Sequence, residues 1–333
     1  AAGSASPSAR DPAAAAPSPP DGGPPHRIFV LGAGRAGLGL ACAVHAAAAA
    51  TAAPGGAIAP ATVVAVHGRR ALDGVPPLGR VSAGRLPAEF AEATVVFVAV
   101  QDRALEGALD EIAVRLEAGG TATGRPPVVL QASGSAEPSG FARLRGLGAA
   151  CGTFHPLVPL AVPARAPVLL RGAWIGVDGD ARALEAAAVL AGAVGAHPLA
   201  IPAGEKGRYH AAAVFASNFP IVLAAVAERL LAAAGVEPTG GRAAVRHLLS
   251  SAAANLVGGD DAALALTGPV VRGDGETVAK HLAALRGDPS ALALYRALAR
   301  ETVVVAERAG TEASALAHLA ALLDAPPSAS PDE

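Results

Sequence analysis

The segment Arg27-Ile28-Phe29-Val30-Leu31-Gly32-Ala33-Gly34-Arg35-Ala36-Gly37 contains a short apolar run that leads directly into the pattern Gly-x-Gly-x-x-Gly. An Ala- and Leu-rich stretch of helical type, residues 38–50, follows it. Gly32 permits a tight turn, Gly34 lets the backbone approach a pyrophosphate, and Gly37 lets the helix pack closely on the strand. The order strand, glycine turn and helix therefore predicts a dinucleotide site; the alternative is a glycine turn with only a structural role.

The composition limits the classes of function. The 333 residues suffice for one large or two ordinary domains, and the net charge of −2 gives no electrostatic reason to expect a nucleic-acid or anionic membrane partner. Cys42 and Cys151 are too few for a disulfide framework, which favours the cytoplasm. No basic segment followed by a Leu-rich one occurs in residues 1–25, so we expect no signal peptide.

Segments of strand type and helix type alternate between Arg27 and about residue 200. Apolar runs predict strands at 62–67, 94–100, 128–131, 152–154 and 173–177, and helices are predicted at 104–117 and 182–194. Near-continuous apolar strands that alternate with helices are typical of a parallel sheet covered on both faces. Together with the glycine turn, this pattern predicts a doubly wound, parallel α/β Rossmann domain at residues 26–202.

The pattern changes after Ile201-Pro202. No convincing strand occurs in residues 206–323, and Gly-rich breaks separate stretches of helical type, which predicts an all-α domain at residues 203–324. The breaks lie at 235–241, 258–261, 267–274 and 287–289. Residues 1–25 have too few large apolar side chains to fold, so we predict a disordered tail there, and we predict a frayed tail at residues 325–333.

The end of the second predicted strand indicates which dinucleotide is bound. NAD-specific domains place an acidic residue here to hold the ribose hydroxyls. This chain instead has His67-Gly68-Arg69-Arg70. The guanidinium fork suits a 2′-phosphate, and Arg35 in the glycine turn can contribute from the other side. The predicted cofactor is NADP(H); the alternative is a solvated basic turn.

Further cofactor contacts are expected at the carboxyl ends of the central strands, where open α/β sheets bind ligands. Strand 94–100 ends in Val100-Gln101, and the next strand leads into Ala132-Ser133-Gly134. The predicted cofactor-binding residues are Gly32, Gly34, Arg35, Ala36, Gly37, Arg69, Arg70, Val100, Gln101 and Ser133.

Four further strings accompany the glycine turn: Ala132-Ser133-Gly134, Phe154-His155-Pro156-Leu157, YHAAAVFASN at 209–218 and LTGPVVRGD at 266–274. Over about residues 27–320 the chain resembles a bacterial family in which a Rossmann-like domain is joined to a domain of unknown function, DUF2520. That family is similar to 6-phosphogluconate and 3-hydroxyisobutyrate dehydrogenases, pyrroline-5-carboxylate reductase and ketopantoate reductase. The resemblance implies an NADPH-dependent reductase of a small oxo acid, with 2-dehydropantoate as a candidate substrate, and a homodimer formed through the α domain.

Three residues on one predicted helix are candidates for catalysis. Lys206 and His210 are four residues apart and share a face, and Asn218 lies about two turns further on. In the related β-hydroxyacid dehydrogenases a lysine and an asparagine occupy the first two positions, so the resemblance implies an acid/base role for Lys206, while His210 departs from the pattern. Ketone reduction needs such a proton donor. The alternatives are a surface lysine and, for Asn218, a cap before Pro220.

Three other residues are candidates for binding substrate: His155, Arg272 and His281. His155 ends a strand at the crevice, or else is a structural histidine bonded to a carbonyl. Arg272 suits a substrate carboxylate, or else pairs with Asp274 to brace its loop. His281 shares a helical face with Thr277. We expect no metal, because the histidines are dispersed and no metal-ligand spacing occurs.

The residues leave open whether the chain is an enzyme. A non-catalytic NADP(H)-binding sensor, whose α domain binds a partner, is one alternative. An imine reductase or an F420-linked reductase is another.

Overall fold

The computed structural model describes residues 24–52, 59–119, 121–257 and 261–325. It contains two compact units, one extending to Ser217 and the other starting at Asn218. The predicted domain bounds, 26–202 and 203–324, stay a prediction. The two predicted tails, 1–25 and 325–333, lie outside the described residues, except for 24, 25 and 325.

The described residues of the first unit contain nine strands and five complete helices. The strands are β1 (His26–Leu31), β2 (Ala61–Gly68), β3 (Leu72–Val75), β4 (Gly79–Ala83), β5 (Val95–Val98), β6 (Val128–Gln131), β7 (Ala150–Pro156), β8 (Trp174–Gly179) and β9 (His197–Ala200). The helices are α1 (Arg35–Thr51), α2 (Leu105–Glu117), α3 (Phe141–Gly146), α4 (Ala166–Leu169) and α5 (Ala181–Ala193), followed by the first turns of α6 (Lys206–Ala233).

All nine strands belong to one sheet, in the order β3-β4-β2-β1-β5-β6-β7-β8-β9. From β4 to β7 every neighbouring pair is parallel, in the strand order of a dinucleotide-binding doubly wound sheet. The predicted Rossmann fold is confirmed. Two pairs depart from the parallel pattern, β3 with β4 and β7 with β8. For β3 and β4 the reason is the link between them, residues 76–78, which is too short for a parallel crossover. For β7 and β8 the sequence could not predict the direction, because a strand buried on both faces has the same apolar pattern whether it runs parallel or antiparallel.

The side chains of β1 explain why its sequence reads as a continuous apolar run. Ile28 and Val30 belong to the apolar layer on one face of the sheet, and Phe29 and Leu31 belong to the layer on the other face. All four are buried. Burial of such a side chain stabilises the fold by about 1.5–3 kcal/mol, so β1 is held from both sides. It thereby becomes a rigid support for the glycine turn that follows.

In the described residues of the second unit the regular elements are all helices, as predicted. It contains the rest of α6, then α7 (Pro238–Val257), α8 (Ala262–Ala265), α9 (Gly275–Ala284), α10 (Pro289–Arg308) and α11 (Ala313–Asp324). Aspartates at 261, 274 and 288 cap the N-termini of α8, α9 and α10. Each such cap contributes about 1 kcal/mol, which explains why these helices begin at or just after the ends of predicted breaks.

Candidate functional site

The glycine loop, residues 32–37, joins β1 to α1. Gly32 has a φ of +121°, and a Cβ added there would lie 2.3 Å from the carbonyl oxygen of Ala99. A Cβ at Gly37 would lie 1.8 Å from the carbonyl oxygen of Gly32. Gly34 is the N-cap of α1 and no side chain caps the helix there. The loop is therefore possible only with glycine at 32 and 37, and it leaves the positive end of α1 open to an anion.

A cavity of about 850 Å³ lies in front of the glycine loop. Its volume is within the range of small-molecule and cofactor sites. Of the predicted cofactor-binding residues, the structure brings six to this cavity: Gly32, Gly34, Arg69, Arg70, Val100 and Gln101. The other four, Arg35, Ala36, Gly37 and Ser133, do not line it. Arg35 is exposed at the start of α1, and Gly37 is buried beneath the loop.

Sequence reasoning missed the far wall of the cavity. Ala104, Gly107 and Ala108 line it from α2 and the turn before it, and Leu72 lines it from β3. The three small residues are spaced i, i+3 and i+4, which places them on one helical face. That spacing is the signal in the sequence that identifies this wall.

His67 occupies the strand end where an NAD-specific domain has its acidic residue. The ring is 4% exposed, with Nδ1 2.9 Å from Ser82 Oγ and Nε2 3.1 Å from the carbonyl oxygen of Gly84. Both partners belong to β4 or the residue just after it, so His67 is fixed within the sheet edge. Arg69 and Arg70 are exposed beyond it, and they supply the charge at this end of the cavity.

A second group of residues, which we call the His–Tyr cluster, consists of His155, Tyr209 and His210. His155 comes from β7, and the other two come from the first turns of α6. His155 Nδ1 lies 2.9 Å from Tyr209 Oη, and the two imidazole rings are 5.6 Å apart between centroids. A Cβ on Gly134 would lie 2.7 Å from His210 Nδ1 and 2.8 Å from His155 Cε1. Glycine at 134 therefore lets the segment after β6 close on both rings.

Gln131 holds that segment in place. It is fully buried at the end of β6, and its Nε2 donates to the carbonyl oxygen of Ser133 and to Thr153 Oγ1, each at 2.9 Å. Ser133, predicted as a cofactor contact, is thus fixed beside the His–Tyr cluster. Neither Gln131 nor Tyr209 was among the predicted site residues.

The His–Tyr cluster has unusual protonation properties. Burial lowers the pKa of His155 to about 4; the neighbouring His210 lowers it further, while Asp102 opposes the change. His155 is therefore neutral at pH 7. Burial also raises the pKa of Tyr209 to about 12. Nδ1 of His210 is buried and has no hydrogen-bond partner among the described residues.

Lys206 is held by two oxygen atoms of the same unit. Its Nζ lies 3.1 Å from Asp178 Oδ2 on β8 and donates to the carbonyl oxygen of Ala136 at 3.0 Å. The residue is only 5% exposed, so it is not the ordinary surface lysine that sequence reasoning kept as an alternative. These contacts tie the start of α6 to the sheet.

Comparison with known proteins finds a family model that matches part of the chain. Residues 173–302 match the family model of DUF2520, described as a domain of unknown function. The resemblance predicted from the sequence is confirmed for this segment. No functionally curated protein matches the chain.

Three solved structures resemble the chain over most of its length. A Bacteroides fragilis protein, described provisionally as an NADP oxidoreductase, is 19% identical, with a TM-score of 0.60 over 84% of this chain and 98% of the other. A Thermotoga maritima protein is 21% identical, with a TM-score of 0.61 over 85% and 99%. Plasmodium falciparum pyrroline carboxylate reductase with NADP bound is 10% identical, with a TM-score of 0.51 over 89% and 98%. These likenesses concern the fold.

The DUF2520 match includes the candidate residues of the second unit. His281 Nδ1 lies 2.9 Å from Tyr295 Oη. Asp274 caps α9 by accepting from the backbone N–H of Thr277 at 3.0 Å and from its hydroxyl at 2.6 Å. These bonds are the main cause of the lowered pKa of Asp274, and the charge of Arg272 adds less. Asp274 is therefore engaged chiefly by Thr277, not by Arg272.

Asn218 lies within α6, which continues without a break through Pro220. A cap supplied by Asn218 before Pro220 is therefore not needed to explain how α6 passes this proline. The roles assigned to Asn218, Arg272 and His281 stay predictions.

Proposed function

We propose that the chain is an NADP(H)-dependent oxidoreductase that reduces a small oxo acid, with 2-dehydropantoate as the first substrate to test. The observation that carries this proposal is the cavity bounded by the glycine loop and by Arg69 and Arg70. It lies in the crevice where doubly wound sheets bind dinucleotides. The names of two structural neighbours, one with NADP bound, support the choice of cofactor.

The residues of the cavity fit NADP(H). The open N-terminus of α1 would hold the pyrophosphate, since its amides point toward the loop and no side chain caps them. Arg69 and Arg70 would bind the 2′-phosphate through charge-assisted hydrogen bonds. Val100 and Gln101 would contact the nicotinamide end. When bound, the reduced cofactor supplies the hydride.

The His–Tyr cluster would hold the carbonyl group of the substrate. A neutral His155 donates a hydrogen bond to the carbonyl oxygen, and that bond strengthens as negative charge develops there during reduction. His210 would provide the proton that this oxygen needs. Lys206, which the resemblance made the acid/base group, is occupied by Asp178 and Ala136, and we therefore propose that it anchors α6.

The test is an assay of NADPH oxidation by the purified chain with 2-dehydropantoate and a panel of 2-oxo and 3-oxo acids, alongside calorimetric titration with NADPH. Turnover of any oxo acid supports a reductase, and preference for 2-dehydropantoate supports the specific substrate. Tight NADPH binding without turnover of oxo acids or imines favours the sensor. Failure to bind NADPH, with binding of F420 instead, would overturn the cofactor assignment.

We also propose a cytoplasmic homodimer. By length and composition α6 is apolar enough to cross a membrane, and none of its most apolar 18-residue window is buried within the chain. Large side chains on α6 and α7 are correspondingly exposed: Ile221, Val222, Leu248, Leu256 and Val257. Both cysteines are free and buried, which suits a reducing compartment. A second copy of the chain would cover these apolar faces.

Light scattering at micromolar concentration tests the dimer. A mass near twice 32.4 kDa is expected. A mass near 32.4 kDa excludes it, and pelleting of the chain with phospholipid vesicles would show instead that a membrane covers α6.

A further inference from the structure

Tyr209 is the member of the His–Tyr cluster that the proposed reaction leaves without a role. Its hydroxyl lies between two groups, His155 Nδ1 at 2.9 Å and the backbone of Gly176 on β8. A Cβ on Gly176 would lie 2.0 Å from Tyr209 Oη, so only glycine admits the hydroxyl to this strand. Tyr209 therefore lies in a position prepared for it by the sheet.

The partners of Tyr209 Oη follow from the donors and acceptors available. In the antiparallel β7–β8 ladder the backbone N–H and C=O of Gly176 form a hydrogen-bonded pair with His155. Among the described residues, His155 Nδ1 is therefore the hydrogen-bond partner of Tyr209 Oη, which has a single proton to donate.

The direction of the bond between Tyr209 Oη and His155 Nδ1 follows from that single proton. If Nδ1 carried a proton, it would donate to Tyr209 Oη, and the half-buried hydroxyl proton would lose its partner, which costs about 1–3 kcal/mol. The arrangement that satisfies both groups has Tyr209 donating to an unprotonated Nδ1. A neutral imidazole with an unprotonated Nδ1 carries its proton on Nε2.

We propose that Tyr209 is a positioning residue that fixes His155 as the tautomer protonated at Nε2, so that His155 presents an N–H donor to a ligand oxygen. Nε2 forms no hydrogen bond with a described residue, so its proton is not engaged within the part of the chain that the structure describes. A fixed donor suits a keto or carboxylate oxygen and disfavours a protonated iminium nitrogen. This last step rests on the proposed function; the tautomer itself does not.

The neighbours of His155 agree with a neutral ring. The groups that face it are Tyr209 and His210 from α6, Gly134 from the segment after β6, and Asp102 beyond β5. His210 disfavours a charged His155 and Asp102 favours it, and burial is the largest influence, so the pKa of His155 falls. The ring therefore acts as a hydrogen-bond donor without a net charge.

The experiment is long-range ¹H–¹⁵N NMR of the histidine rings in the full-length chain without ligand at pH 7, with His155→Gln used to assign the His155 signals. We expect the pattern of a single tautomer protonated at Nε2. Tyr209→Phe removes the hydroxyl but keeps the ring, so the His155 signals should shift toward a mixture of tautomers. A wild-type ring protonated at Nδ1, or a pattern unchanged in Tyr209→Phe, would overturn the proposal.

The chain offers a matched control. Its only other tyrosine, Tyr295, makes the same 2.9 Å contact to His281 Nδ1 in the second unit. Tyr295→Phe should change the His281 signals and leave those of His155 as in the wild type. The NMR result needs no turnover, so its failure and the failure of the reductase proposal are distinguishable. If a substrate is found, Tyr209→Phe should lower kcat/KM on the order of tenfold, the size of one lost hydrogen bond.

Discussion

The glycine loop and the His–Tyr cluster lie at the carboxyl ends of strands in the same sheet, but the sequence determines the two structures in different ways. The loop is a contiguous segment in which backbone sterics at Gly32 and Gly37 leave no other residue possible. The cluster joins side chains 54 residues apart, and its chemistry depends on which neighbour each polar atom finds. Local backbone geometry is therefore readable in the chain, whereas a cluster of partnered side chains exists only once the sheet has formed.

The largest expected effect belongs to the loop. Gly37→Ala places a Cβ 1.8 Å from the backbone oxygen of Gly32, and backbone on both sides cannot yield as a flexible side chain would. We expect this variant to lose NADPH binding by at least about a hundredfold, measured by calorimetry, because the loop must open.

Gly192→Ala is the matched control, since it lies in α5 with nothing within 4 Å of the added Cβ. It should bind NADPH as the wild type does and be stabilised by about 0.5–1 kcal/mol. Unchanged NADPH affinity in Gly37→Ala would mean that the loop does not hold the cofactor.

The next largest effect is expected at Lys206, and it tests whether this lysine has a structural role or takes part in the chemistry beside the His–Tyr cluster. Lys206→Met leaves Asp178 without its partner, and because the Asp178 side chain is 25% exposed, we expect a loss of about 1–3 kcal/mol. Urea denaturation should show this loss, and Lys206→Met/Asp178→Leu should recover much of it. If Lys206→Met keeps its stability and loses only turnover, the lysine is the acid/base group that the resemblance implies.

The glycine loop and the His–Tyr cluster also show how much of the structure could be predicted from the sequence. The order of β1, the glycine loop and α1 was predictable because glycine spacing and apolar runs report local backbone geometry. The contacts of Lys206 were not, because Asp178 and Ala136 approach it only after β8 and the segment after β6 have taken their places. Tyr209 was missed for the same reason, since its partner His155 is 54 residues away in the sequence. The far wall of the cavity was readable in the small-residue spacing of α2.

An effect of similar size tests the phosphate end of the cavity. Arg69→Ala/Arg70→Ala should weaken NADPH binding by about 1.5–3 kcal/mol while NADH binding stays nearly constant. The preference for NADPH over NADH should therefore fall by tenfold or more. Arg80→Ala is the control, because Arg80 is exposed on β4 and does not line the cavity. Equal wild-type affinities for the two cofactors would refute the assignment of these arginines to a 2′-phosphate.

The smallest effect is the pH dependence that His155 gives to stability. The pKa of His155 is about 4 in the folded chain against an ordinary value of 6.5, so the unfolded chain binds the proton more tightly. The contribution of neutral His155 to the free energy of unfolding is complete above pH 6.5. It is lost as the pH falls toward 4, because the unfolded chain takes up the proton first and protonation therefore favours unfolding. Because His155 is partly exposed, we expect no more than about 2 kcal/mol.

His155→Gln should flatten the dependence of the unfolding free energy on pH between 6.5 and 4, and His197→Gln, on the exposed start of β9, should leave it unchanged. An equal slope in wild type and His155→Gln would show that the cluster does not hold a neutral imidazole, and the contrast with the glycine loop would then rest on geometry alone.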